Sequence, residues 1–149
     1  MVNIKKASFD EQTVSELIEL SKVWAREGIS HGIVPNERDD LKEPCFVAMD
    51  EKRIVGYAFG HYYEESRPNG VGEIHHGDRC FSLDELFVLS EYRSKGIGRQ
   101  LFQAIENEVS GKADFISLST STKDYRRVLA FYDEICGMGF HDAFLIKRV

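Results

Sequence analysis

The stretch Tyr92 to Leu101, YRSKGIGRQL, sets three cations (Arg93, Lys95, Arg99) around two glycines (Gly96, Gly98). It lies between a β-type run, LDELFVLSE, and a helical run, FQAIENEV. A helix that starts here offers unpaired backbone N–H groups and a partial positive charge, both of which favour a bound anion. Glycine lets a ligand come close to the backbone, and the cations add charge-assisted contacts. A phosphate or pyrophosphate would fit, and so would a plain tight turn with solvated basic residues. Two other phosphate motifs are missing. There is no G-x-x-x-x-G-K-[ST], and no third glycine followed by a βαβ unit with an acidic residue.

Just upstream, Asp84 and Glu85 form an acidic step before LFV. Adjacent strand residues point to opposite faces, so only one can serve a given site unless a bulge intervenes. His61, Tyr62, Tyr63, Glu64 and Glu65 make a mixed aromatic and acidic segment that reads as a lip for an amine or as a solvated strand end. His75, His76, Asp78 and Cys80 are close together but lack a metal-ligand spacing with a distant partner pair, so no metal is expected.

The elements that would position these groups follow from periodicity. Asp10 to Glu27 carries Val14, Leu17, Ile18, Leu20, Val23 and Trp24 close to one helical face, with Gly28 as a stop. His31 to Pro44 is a polar connection with room for a short helix. CFVAMDEKRIVGYAFGHYY reads as a hairpin around Asp50, Glu51 and Lys52. A glycine-rich loop, then the strand CFSLDELFVLS, lead to a helix marked by Ile97, Leu101, Ile105 and Val109. ADFISLST reads as a buried strand. Ser121 and Asp124 form a capping-box signature. They open a helix with Val128, Leu129, Phe131, Tyr132 and Ile135, and GFHDAFLIKRV reads as a final strand. The order α, β-hairpin, β, α, β, α, β predicts an α/β fold, a mixed sheet packed by helices.

With 149 residues, the chain is expected to be one domain, 1–149. No apolar run is long enough to span a membrane, and the N-terminal stretch lacks an apolar signal core. Three cysteines without a close pair suit a reducing compartment, so a cytoplasmic location is expected. A net charge of −6 disfavours nucleic acid and is compatible with a cationic substrate.

Arg93 to Gly98, RSKGIG, matches the [Q/R]-x-x-G-x-[G/A] signature of the GNAT superfamily of acetyl-CoA-dependent N-acetyltransferases. LDELFVLSEYRSKGIG resembles that family's strand and loop, AFYDEICGMGF resembles its later FY…GF segment, and the element order agrees. The resemblance implies a GNAT fold with a mixed, mostly antiparallel sheet. It also implies a pyrophosphate cradle for coenzyme A at Arg93, Ser94, Lys95, Gly96, Ile97, Gly98 and Arg99, and a pantetheine arm along Leu86, Phe87 and Val88. It makes Tyr132 the acid for the leaving thiolate, where periodicity alone reads a core aromatic. Similarity to the diamine-acetyltransferase type makes both Asp84 and Glu85 plausible base or substrate carboxylates. The expected function is transfer of an acetyl group from acetyl-CoA to a primary amine in a direct ternary complex. The acceptor is expected to be an amine, a cationic small molecule among the options, and a homodimer is expected because many members dimerise. The sequence departs from the family in two places: Ser94 stands where glycine is common, and STKDYRRV lacks the asparagine usual before FY. The missing asparagine leaves open a second reading, an inactive acyl-CoA-binding sensor or interaction module of the same fold.

Overall fold

The computed structural model describes residues 1–148. Five strands form one sheet in the order β1 (Val2–Lys6), β2 (Cys45–Asp50), β3 (Arg53–Glu64), β4 (Arg79–Val88), β5 (Phe115–Ser117). The first four pair antiparallel and β5 pairs parallel to β4. The helices are α1 (Glu11–Glu27), α2 (Ile97–Val109) and α3 (Tyr125–Ala130), the last running into a wider π turn, Phe131–Ile135.

Helix α1 forms where the sequence predicts. The Asp10 carboxylate accepts from the Thr13 N–H at the N-terminus, and Gly28, at φ 66°, closes the other end in the left-handed region. Its face of Val14, Leu17 and Leu20 is buried. Phe87 stacks on Trp24 of α1 at 5.3 Å between ring centroids. The neighbouring Leu86 points the other way, and a Cβ on Gly98 of α2 would lie 3.8 Å from its Cδ2. Alternation along β4 thus seats α1 and α2 on opposite faces of the sheet. All four of Ile97, Leu101, Ile105 and Val109 are buried on α2, as the periodicity requires.

Four expectations are corrected. Strand β1 was not anticipated: Val2 and Ile4 supply only two apolar residues, enough for an edge strand but too few for a pattern. Ser121 does not cap a helix. Residues 29–31 and 121–123 pair instead, through His31 N–H to Ser121 O and Lys123 N–H to Ile29 O, so α3 starts only at Tyr125. ADFISLST yields a strand of three residues, all half-buried, rather than a long buried one. Residues 139–148 of the expected final strand form no strand, and Val149 lies outside the described residues.

Between β3 and β4 the register slips by one. Phe59 pairs with Glu85 and Gly60 with Leu83, which leaves Asp84 as the extra residue of a β-bulge. Gly60 makes this possible, since a Cβ there would sit 1.8 Å from the Ser82 carbonyl oxygen. Gly60→Ala is expected to cost about 3 kcal/mol, the upper part of the overpacking range, because backbone rather than a flexible side chain must move. Urea unfolding checks it; a midpoint equal to that of the parent would show that the strands can separate at no cost.

Candidate active site

Beyond Ser82, β4 and β5 no longer pair. Their ladder ends at Ser82 and Ser117, while β4 continues to Val88. Leu83 to Val88, with Leu86, Phe87 and Val88 among them, therefore line a gap between two parted parallel strands. A backbone edge in such a gap can take an extended ligand in place of the missing strand.

The gap leads to the loop after β4. A 3-10 turn over Ser90–Tyr92 and two residues with left-handed backbone, Ser94 (φ 60°) and Gly96 (φ 79°), bring the chain to the start of α2. None of the N–H groups from Ser94 to Arg99 has a partner among the described residues. The space where a Cβ on Gly96 would stand is open to at least 4 Å. Unpartnered amides at a helix start can accept an anion.

The three cations of this loop divide. The Arg93 guanidinium is committed inward: it donates to both Glu27 oxygens at 2.7 and 2.8 Å and to the Val88 carbonyl at 2.7 Å, and lies 5.4 Å from the Phe87 ring centroid. It fastens the loop to α1, which leaves its own side chain unavailable to an anion. Lys95 caps the Glu91 carbonyl at 2.9 Å. Arg99 is exposed, with no ion pair among the described residues.

The bulge decides how the acidic step is used. It turns Asp84 and Glu85, expected on opposite faces in a regular strand, toward common space, and both line two open cavities of about 590 and 200 Å³. Glu85 Oε2 accepts from the Tyr57 hydroxyl at 2.7 Å and the Asn36 amide at 2.9 Å. Burial pushes its carboxyl above the usual range, aided by the charges of Asp84 and Asp40 and only partly offset by those two donors. Asp84 is different. Burial would raise it, but His61 Nδ1 at 2.7 Å, Ser82 Oγ at 2.8 Å and Lys42 Nζ at 3.1 Å together hold it below the usual range. The two neighbouring carboxylates are thus shifted in opposite directions, Glu85 upward and Asp84 downward.

The larger cavity collects Glu37, Asp39, Asp40, Asp84 and Glu85 against a single lysine, Lys42, which is paired with Asp84. Its wall from residues 34–42 was read from the sequence only as a polar connection. Tyr57 and Asn36, both essential to the setting of Glu85, had no sequence signal, because each is distant along the chain and ordinary in type. His61 reaches the site through Asp84, whereas Glu65 is turned away into an ion pair with Arg67 at 2.7 Å.

Tyr132 lies in the π turn, packed on Phe102 and Phe131. Phe131 in turn packs on the first turn of α2, since a Cβ on Gly98 would meet its ring at 3.3 Å. Burial raises the Tyr132 phenol above its ordinary pKa, so it stays protonated. Its hydroxyl has no partner among the described residues and is not sealed from solvent. Tyr132 lines neither of the two acidic cavities. Burial pushes the Cys45 thiol up to about 12 and the Cys136 thiol up to about 11, and it raises the Cys80 thiol as well, so all three favour the protonated form. His75 is used in a turn, its N–H donating to Asp78, and among the described residues no group of three or more potential ligands is placed to hold a metal. Among the described residues no helix is long and apolar enough to cross a membrane.

The comparison that decides the family is by sequence. Residues 11–138 match the Acetyltransferase (GNAT) family. The chain belongs to that family. Among curated protein sequences none matches it. Several solved GNAT-like structures share the fold. A mutant of a Bacillus halodurans protein superposes with a TM-score of 0.71 at 21% identity, covering 99% of each chain. An aminoglycoside acetyltransferase from an uncultured soil metagenomic sample, in complex with trehalose, gives 0.69 at 18% identity, covering 99% of this chain and 96% of the other. AAC(6')-Iy, in complex with the bisubstrate analog CoA-S-monomethyl-acetylneamine, gives 0.67 at 14% identity, covering 100% and 98%. This GNAT chain therefore carries an acetyltransferase-family fold, with the parted strands and bare amides described above as its structural counterpart.

Proposed function

We propose that this protein is an N-acetyltransferase that moves an acetyl group from acetyl-CoA to a primary amine of a cationic small molecule, by direct transfer within one 1–149 domain. The observation that carries the reading is the meeting of Glu85, with its raised proton affinity, and an acidic cavity at the point where β4 and β5 part.

The residues present fit coenzyme A. The gap beside Leu86, Phe87 and Val88 accepts an extended arm, and the unpartnered amides of Ser94 to Arg99 accept a pyrophosphate, with exposed Arg99 adding charge. When bound, acetyl-CoA supplies a thioester-activated acetyl group. The acceptor arrives as an ammonium with a pKa of about 10. The carboxylates of Glu37, Asp39 and Asp40 attract it and hold any further positive charge. Glu85 takes its proton, and the raised pKa brings this base closer to working pH. Asp84 stays ionised beside it and keeps the cavity negative. Tyr132, held protonated, donates to the departing sulfur as charge develops there.

A coupled thiol-release assay over a panel of polyamines, aminoglycosides and amino acids tests the whole reading. Amine-dependent thiol release with a multiply cationic acceptor is expected. Tight acetyl-CoA binding without release for any amine would replace it with the sensor reading.

The role of Tyr132 has its own test. Tyr132→Phe keeps the ring and removes the hydroxyl, so turnover is expected to fall roughly 10- to 1,000-fold while acetyl-CoA affinity changes little. A variant with parental single-turnover rate, on an amine for which chemistry is limiting, would remove the hydroxyl from the mechanism.

A further inference from the structure

One lysine reaches the carboxylates of the candidate active site. Lys42 lines the larger acidic cavity and sets its ammonium on Asp84 Oδ2 at 3.1 Å. Neither cavity has another lysine in its wall. Lys42 thus stands in the cavity proposed for the acceptor's own ammonium, which Glu85 also lines. The bond to Asp84 is the single hydrogen bond that Lys42 Nζ makes among the described residues, and its side chain is 45% exposed. Asp84 keeps two partners when Lys42 leaves: His61 Nδ1 at 2.7 Å on Oδ2 and Ser82 Oγ at 2.8 Å on Oδ1. A lysine carries its charge on a flexible four-carbon stem, so Lys42 can swing off Asp84 by side-chain rotation. It is also a primary amine, the class of group that the proposed reaction acetylates.

We propose that Lys42 is an internal acceptor: it holds the place of the acceptor's ammonium in the free protein, and without an external amine the site acetylates Lys42 Nζ of the same chain. This rests on the acetyl transfer proposed above. The step balances as it does for an external amine. Glu85 takes one proton from the ammonium. The nitrogen lone pair then forms the C–N bond to the acetyl carbon as the C–S bond of the thioester breaks. The sulfur gains its proton from Tyr132, and the second proton to leave the nitrogen restores the phenol. The products are an acetylated Lys42 and the free coenzyme thiol. Other lysines are placed differently. Lys6 and Lys112 pair with Glu108 and Lys22 with Glu19, while Lys5 and Lys52 are exposed and line neither cavity. Acetylation removes the charge of Lys42 and with it the one cation in the wall of the larger cavity. Glu37, Asp39, Asp40, Asp84 and Glu85 then face the next cation unopposed, so the modified protein takes a polycation more tightly.

Peptide mapping by mass spectrometry, on the full chain held with acetyl-CoA and no amine, reads the transfer directly. Lys42 should be acetylated roughly 100-fold or more faster than Lys5 and Lys52, the gain expected from a positioned base. Those two exposed lysines measure the uncatalysed reaction. Glu85→Gln should remove most of the advantage of Lys42 and leave Lys5 and Lys52 as they were. The fractional rate should not change on dilution of the protein, because donor site and lysine belong to one chain. Calorimetry with spermidine on the coenzyme-free protein reads the displacement without turnover. Lys42→Gln has no ammonium to displace and should bind spermidine about 5-fold more tightly, the scale of a half-exposed ion pair. Lys42→Arg keeps a cation on Asp84 and should stay near the parental affinity. Lys42 labelled no faster than Lys5 and Lys52, a fractional rate that rises with protein concentration, or no tightening in Lys42→Gln would each overturn the proposal. Thiol release with an amine of the panel, alongside an unlabelled Lys42, would overturn it and leave the acetyl-transfer reading in place. Neither release nor label would overturn both.

Discussion

Glu85→Gln should lower kcat by roughly 100- to 10,000-fold near neutral pH, the range for loss of a positioned general base. The loss should shrink as pH rises, because the free amine then forms without help. The sign follows from the raised pKa. In the parent, activity is expected to fall as pH drops and Glu85 gains a proton, and burial shifts that expected limb upward from the usual glutamate range. Tyr57→Phe supplies a companion shift. The Tyr57 hydroxyl bonds to the ionised carboxylate at 2.7 Å and stabilises it. Removing that donor raises the Glu85 pKa further and moves the acidic limb to higher pH. Asp84→Asn should instead weaken acceptor binding more than it changes the limb, since Asp84 stays ionised through the same window. A pH–rate profile in which Glu85→Gln keeps the parental acidic limb would assign the limb to another group.

Gly98→Asp should weaken acetyl-CoA binding about 100-fold or more. A carboxylate about 5 Å from a phosphate opposes it by ~3 kcal/mol at an effective dielectric constant near 20. Position 98 also carries a steric effect that the glycine spacing alone does not reveal. A Cβ there is aimed at the Phe131 ring, 3.3 Å away, and not into open space. Gly98→Ala separates the two contributions. It should disturb Phe131, and with it the neighbouring Tyr132, and so lower turnover more than affinity. Calorimetry and single-turnover rates on both variants read the difference. A folded Gly98→Asp protein with parental affinity would remove the pyrophosphate from this loop.

The glycine turn before α2 was legible in the sequence because it is a feature of local backbone. Gly96, the start of α2 and the apolar repeat of Ile97, Leu101, Ile105 and Val109 are neighbours along the chain, and short-range periodicity captures neighbours. The fold class was legible for the same reason, through the hairpin at Asp50 to Lys52 and the alternation of strands with helices. Arg93 shows where this stops. Its type suited a phosphate, but its partner is Glu27, 66 residues away, and that pairing makes it a fastener of the loop.

What the sequence by itself determined is therefore the family motif, the fold class and the presence of two adjacent carboxylates. Only the tertiary structure decided how those carboxylates differ. The bulge at Asp84 depends on Gly60 passing close to Ser82 across the sheet, and the proton affinity of Glu85 depends on burial and on Tyr57 and Asn36, from two other segments. Likewise GFHDAFLIKRV has the composition of a strand, yet residues 139–148 make no backbone hydrogen bond among the described residues. A strand is defined by its hydrogen-bonded partner as much as by its own side chains. Periodicity records which face of a segment seeks burial, and the assembled fold determines whether a partner is there to meet it.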